Sequence, residues 1–212
     1  GSNTPMTLIE NHSADVIRYW AANSKLGTDT FFSEDELKIS KRFITKLYNA
    51  SKFAIMQLDD YVSSDDYDKA NLLPIDQWIL QRVNETTVIV TELLDNYEIG
   101  QARHEIDVLF WRDFCDYYIE IVKERLYQPD KHGVEQRYSG QYAMYNSLLG
   151  ILKLYAIYTP YVTDYIYQDF FKKYEGITSI HQTIWNAAET QSIYIEFGEH
   201  IREIIGEVRR KK

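Results

Sequence analysis

The chain has 212 residues, with 23 Lys and Arg against 32 Asp and Glu, a formal charge of −9. A hydrophobic content of 45% with 26% charged residues excludes disorder as the main state, and the length suffices for a core without disulfide or metal staples. The single cysteine, Cys115, excludes an internal disulfide framework and fits a reducing cytosol, so a cytoplasmic location without membrane contact is expected.

No apolar run approaches the roughly 18 residues of a membrane span, and the start lacks the cationic and apolar stretches of a signal peptide. Gly1-Ser2, with the first methionine at Met6, resembles a cloning scar on a piece of a longer protein; natural processing of a small protein would leave the same start. The acidic balance by itself argues against a nucleic-acid partner.

Ser13-Ala-Asp15 predicts a capped short helix through about Asn23, with Val16, Ile17, Trp20 and Ala21 on one side. Gly27-Thr28-Asp29 breaks the chain. Ser33-Glu-Asp-Glu36 then reads as a capping box, in which the serine accepts from the third amide and the glutamate reaches back. The helix it starts is expected to run to about Val62. Asp59 to Asn71, with Ser63 and Ser64, reads as a solvated loop.

Pro74 suits the first turn of a helix through Ile75, Trp78, Ile79 and Val83 toward Leu94. One long helix is expected from about Gln101 to Tyr127, lined by Ile106, Leu109, Phe110, Phe114, Tyr117, Ile121 and Leu126. Pro129-Asp-Lys-His-Gly133 is a turn, Arg137 to Tyr158 a helix, and Pro160 opens another that ends before Gly176. Ile177 to Trp185 has no helical period and is expected to cross the surface extended. Ile201, Ile204, Ile205 and Val208 mark a terminal amphipathic helix. Nothing alternates with period two for long enough to make a sheet, so the fold class is all-α, a helical bundle.

Catalytic chemistry finds no support. A di-iron bundle needs Glu-x-x-His pairs, and the residues three before the histidines are Ile9, Gln101, Pro129, Thr178 and Phe197. One cysteine cannot supply a clustered zinc site, and Cys115 falls in the apolar period of Phe110 and Phe114, as a packed core thiol does. There is no Gly-x-x-x-x-Gly-Lys phosphate loop and no Gly-x-Ser-x-Gly elbow. Tyr138, Tyr142 and Tyr145 share a helix face and read as core or interface packing. No catalytic residue, cofactor site or metal site is assigned.

One segment stands apart. Between Leu37 and Phe53 lie five basic residues and no acidic one, so the rest of the chain carries −14. On a helical wheel Lys38, Lys41, Arg42, Lys46, Asn49, Lys52 and Phe53 share one side. Ile39, Phe43, Ile44, Leu47, Tyr48, Ala50, Ala54 and Ile55 share the other. A basic stripe with an exposed aromatic suits a phosphate backbone and an unstacked base. The solvated face of an ordinary amphipathic helix carries the same signature.

Several blocks together resemble one family. Ser13-Ala-Asp-Val-Ile-Arg-Tyr-Trp20 and Ala22-Asn-Ser-Lys-Leu-Gly27 look like the junction after the catalytic core of class I aminoacyl-tRNA synthetases. Thr45-Lys-Leu-Tyr-Asn-Ala-Ser-Lys-Phe53 is similar to the first anticodon-domain helix of the valyl-tRNA synthetases. Asp76-Gln-Trp-Ile-Leu-Gln-Arg-Val-Asn84 fits the helix that follows, and Phe110-Trp-Arg-Asp-Phe-Cys-Asp-Tyr-Tyr-Ile-Glu120 with Val122-Lys-Glu-Arg-Leu-Tyr127 fits the long one. Tyr158-Thr-Pro-Tyr-Val-Thr-Asp-Tyr-Ile-Tyr-Gln168, then Ser179-Ile-His181 and Trp185, complete the order. The isoleucyl and leucyl enzymes share the architecture, while the Lys-Leu-Tyr-Asn-Ala and Phe-Cys-Asp-Tyr-Tyr blocks favour the valyl family.

The resemblance implies a C-terminal anticodon-binding helical domain, non-catalytic in itself, from an enzyme that ligates valine to its tRNA using ATP. It makes the expected partners the anticodon stem-loop and the missing N-terminal catalytic and editing domains. It divides the chain into a junction over 1–30, an anticodon-binding bundle over 31–186 and a C-terminal helix over 187–212 packed on the bundle. The tRNA-facing residues would be the basic side named above, with Lys46 and Lys52 on phosphates or base edges and Phe53 under an unstacked base. Lys52 departs from the arginine commoner at that place and loses its bidentate, stacking guanidinium.

The class signature His-x-Gly-His is absent, and Lys38-Ile-Ser-Lys-Arg42 is a decoy for the Lys-Met-Ser-Lys-Ser loop, which the family places before the Ser13 block. Arg209-Arg-Lys-Lys212 is either a second backbone contact or favourable charge at a helix C-terminus. The competing reading is a helical protein–protein interaction module without tRNA binding.

Overall fold

The computed structural model describes residues 4–23, 27, 33–62, 71–185 and 192–211, and every regular element among them is helical. Gly1-Ser2, Thr28-Asp29 and Ser63-Ser64 lie outside the described residues.

The chain begins with α1 (Pro5–Asn11), capped by Thr4 with Pro5 in its first turn, and α2 (Ala14–Ala21), where the Ser13 hydroxyl accepts from the Val16 N–H as the sequence suggests. α3 (Glu34–Met56) opens with Ser33 Oγ accepting from the Glu36 N–H at 3.4 Å. The Glu36 carboxylate, expected to complete a capping box, accepts from the Trp20 indole at 2.8 Å and ties α3 to α2.

α3 stops at Met56, short of the expected Val62. Tighter turns follow, with Gln57, Leu58 and Tyr61 each donating to the carbonyl three residues back, and they turn Leu58 and Tyr61 into the core. Arg137 and Gln141 hold Asp60 on the outside of that turn.

α4 (Pro74–Asp95) packs on α5 (Ile99–Asp107) and α8 (Val134–Tyr155). The helix expected from Gln101 to Tyr127 is present, but its middle, Val108–Tyr118, is π-helical, between α5 and α6 (Ile119–Tyr127). Plain α spacing puts residues 109 and 116 on one face, which would turn Asp116 inward. The wider i→i+5 turns leave Asp116 exposed and bury Tyr118 with Leu109, Phe110 and Phe114. The turn after Tyr127 is itself one turn of helix, α7 (Pro129–His132), closed by Gly133 at φ +89°.

α9 (Pro160–Ile166) continues through a π-helical turn (Tyr167–Phe171) into α10 (Lys172–Glu175), and Gly176 at φ +70° ends it where expected. The segment after it is not fully extended. A 3₁₀ turn at Ile180–Gln182 buries Ile180, because the Asp164 carboxylate accepts from Ser179 Oγ and the Ile180 N–H.

The core joins α3, α4, the π-helical stretch and α8 through Phe43, Leu47, Trp78, Ile79, Phe110, Phe114, Leu148 and Tyr155. Tyr19 of α2 stacks on Phe43 at 4.0 Å between ring centroids, and Tyr155 tilts against Phe43 at 4.8 Å. Three buried carboxylates fix the helices to one another. Asp15 accepts from the Tyr161 and Val162 N–H groups at the start of α9. Asp76 takes both Arg125 nitrogens at 2.7 and 2.5 Å with the Tyr118 and Ser139 hydroxyls. Asp113 receives Arg82, Arg112 and Arg202 at 2.8–2.9 Å.

The last of these arginines belongs to α11 (Ser192–Lys211), which lies on α4. Its contact face overlaps the expected one only in part, Ile201 and Ile205 being half-buried. Gly198 sits so close on Trp78 that a Cβ there would come within 1.9 Å of the indole, while Ile204 and Val208 are 59% and 51% exposed. A glycine and an arginine thus help to seat the helix, and an apolar-periodicity count weighs neither.

Candidate nucleic-acid interface

The wheel drawn from sequence sorts α3 into faces, and the bundle decides which of them water reaches. Leu37, Phe43, Leu47, Ala50 and Ala54 are buried, while Lys38, Lys41, Arg42, Asn49 and Lys52 are exposed along the opposite arc. Lys38, Lys41, Arg42, Thr45, Lys46 and Asn49 line one open recess of about 500 Å³. Five of the seven expected residues thus face outward, and Lys46 and Phe53, both half-buried, mark the edge of their arc.

Their electrostatic states differ. Lys38 donates to Asp35 at 2.9 Å; that hydrogen bond holds the ammonium above its ordinary range and the Asp35 carboxyl below its own. Lys41, Arg42 and Lys52 have no ion pair among the described residues, so their charge is free for a polyanion. Lys46 is half-buried, with Nζ 5.7 Å from the centroid of the Trp111 ring. Phe53 was expected to be an exposed aromatic. It is half-buried, packed on the core and edge-on at 6.2 Å to Tyr127, the last residue of α6.

Two residues assigned by the wheel to the inner side are outside. Ile39 is 59% exposed and Tyr48 is 37% exposed. Tyr48 faces Tyr165 of α9, 61% exposed, across 6.3 Å, and neither was singled out as a surface aromatic. Hydrophobic type put Tyr48 inside; only the place where α9 stops covering α3 reveals it. Cys115, near Lys46, is buried, and burial pushes its thiol up to about 12, so the thiolate needed for nucleophilic chemistry is not formed near neutral pH. Among the described residues no group of three or more His, Cys, Asp or Glu is placed to hold a metal ion, and no helix is long and apolar enough to cross a membrane.

These features define an all-α domain that offers one cationic helix face to solvent. The chain belongs to the family described as the anticodon-binding domain of tRNA ligase, whose profile matches residues 76–212. It is similar to valine–tRNA ligase of Ehrlichia canis (strain Jake), 40% identical over 99% of this chain and 26% of that protein. It is also similar to the valine–tRNA ligases of Rickettsia prowazekii (strain Madrid E), 37% identical over 98% of this chain and 26% of that protein, and Rickettsia felis, 38% identical over 77% and 20%. The chain thus spans about a quarter of the length of the curated relatives it matches. α3 lies ahead of the family match but inside the alignments that cover 98–99% of the chain.

Proposed function

We propose that this chain binds the anticodon stem-loop of valine tRNA for an enzyme that joins valine to that tRNA with ATP, and that the outward arc of α3 is the RNA-facing surface. Nucleotide, amino-acid and editing chemistry then belong to the enzyme's other domains. Residues 1–30 form the junction toward them, 31–186 the binding bundle and 187–212 the helix that buttresses it. Membership of an anticodon-binding family and the names of the relatives support the RNA and the amino acid.

The observation that carries the choice of surface is the set of uncompensated cations Lys41, Arg42 and Lys52 along one exposed arc. Lys38 and Lys46 add charge at its start and flank, and Asn49 offers an amide to a base edge. Phe53 joins the surface only by the part of its ring not packed on the core. The test is fluorescence titration of the chain with anticodon stem-loops of valine and non-valine tRNAs. Tighter binding of the valine stem-loop, falling steeply with salt, is expected. Equal, salt-insensitive binding of every stem-loop would overturn the reading.

A further inference from the structure

Beside the basic arc, on the flank toward α9, lies a smaller recess of about 190 Å³ lined by Tyr48, Lys52, Ile55, Tyr165, Ile166 and Asp169. Its walls differ in kind from the arc: two exposed tyrosine rings tilted 45° to each other, one lysine and one carboxylate. Along α3 the residues Lys41, Tyr48 and Lys52 are spaced i, i+7 and i+11, so the tyrosine sits on one stripe between two cations. Lys41 and Lys52 lie about 16 Å apart along the axis at 1.5 Å per residue.

We propose that this recess holds one unstacked base of the RNA loop, stacked on the Tyr165 ring with the tilted Tyr48 ring against its edge, while the backbone to either side runs over Lys41 and Lys52. The inference rests on the RNA-binding reading above and adds to it a base subsite on a second helix. Charge decides between the parts of a nucleotide. A phosphate inside the recess would meet the Asp169 carboxylate, whereas a base edge can donate an amino or imino hydrogen to it. A cationic peptide is repelled by Lys41 and Arg42 next door, which have no ion pair among the described residues. Aromatic faces beside a cationic track are the means by which proteins bind single-stranded segments, the track following the backbone and the rings taking the bases.

The test uses the 212-residue chain and the valine-tRNA anticodon stem-loop, together with a series of stem-loops each abasic at one loop position. Tyr165→Ala is expected to weaken binding roughly 5- to 150-fold with the salt slope unchanged, since stacking releases no counterions. Tyr165→Phe keeps the ring and is expected to bind like the parent. One abasic stem-loop should show the same loss with the parent chain and no further loss with Tyr165→Ala. Thermal unfolding of each variant, run alongside, shows that the fold is intact.

The subsite is overturned if Tyr165→Ala, folded, binds within about twofold of the parent, or if its loss adds fully to that of every abasic position. In either case the parent still binds the stem-loop and the broader reading stands. A parent chain that binds no stem-loop overturns both.

Discussion

Lys38 shares its charge with Asp35, whereas Lys41 and Arg42 point theirs at solvent, and this separates their expected effects. A cation already paired to a carboxylate releases fewer counterions from an approaching nucleic acid. Lys38→Ala is therefore expected to lower the salt slope of RNA binding by less than Lys41→Ala, both measured as log affinity against log salt. Phe53→Ala belongs to a different class. Removing a half-buried ring packed against Tyr127 is expected to destabilise the fold by about 1–2 kcal/mol in urea unfolding, alongside any loss of RNA affinity. Cys115 gives a third check. Its thiol, pushed up to about 12 by burial, is expected to resist a thiol reagent at pH 8 until the chain is unfolded. Prompt reaction of the native chain would show that α3 and the π-helical stretch open readily. The cation positions were legible from charge and helical period alone. The exposure of Tyr48 was not, because a wheel ranks residues by type and cannot know where a neighbouring helix ends.

Among the helices, the largest consequences gather where α11 meets the bundle. Gly198→Ala would drive a Cβ into the Trp78 indole, which is fully enclosed and has no room to yield. A loss of about 1–3 kcal/mol is expected, by overpacking, with α11 the first element to exchange its amide hydrogens. Asp113→Ala removes the shared acceptor of Arg82, Arg112 and Arg202 and is expected to cost about 3–5 kcal/mol, read from the unfolding midpoint. A smaller effect would mean that Glu85 and Glu199, which also pair with Arg82 and Arg202, satisfy those arginines alone. Most of the helices could be placed from capping residues, Pro74, Pro160 and Gly176. The π-helical middle could not, since its apolar residues fit an α period nearly as well until Asp116 and Tyr118 compete for the core. The seat of α11 was legible only in part: its apolar period named Ile201 and Ile205, which are half-buried, together with the exposed Ile204 and Val208, and a glycine carries no hydrophobic signal.

Over the whole molecule, one source of acid sensitivity is Asp60. The Arg137 guanidinium, and then Gln141, hold Asp60 below its ordinary value. A depressed carboxyl contributes stability above its unfolded pKa and loses it as pH falls through the folded one. Burial acts on Asp107 in the opposite direction, raising it against the opposing pull of Arg103 and the Tyr155 and Tyr19 hydroxyls, so its protonation eases folding as pH falls. The stability difference between the parent and Asp60→Asn is therefore expected to be fully present at pH 6 and to shrink as pH falls below the ordinary carboxylate value of 3.8, by under about 1 kcal/mol because Asp60 is exposed.

The net charge of −9 pointed away from nucleic acid because it averages over the chain, while α3 gathers cations on one arc. The most direct measurement is the salt dependence of binding to the valine-tRNA anticodon stem-loop by the parent chain and by the Lys41→Ala/Arg42→Ala double variant. A parent slope reduced by roughly 1.4–1.8 units in the variant, with unfolding unchanged, is the expected result. Identical slopes and affinities for the two chains would show that α3 does not face the RNA.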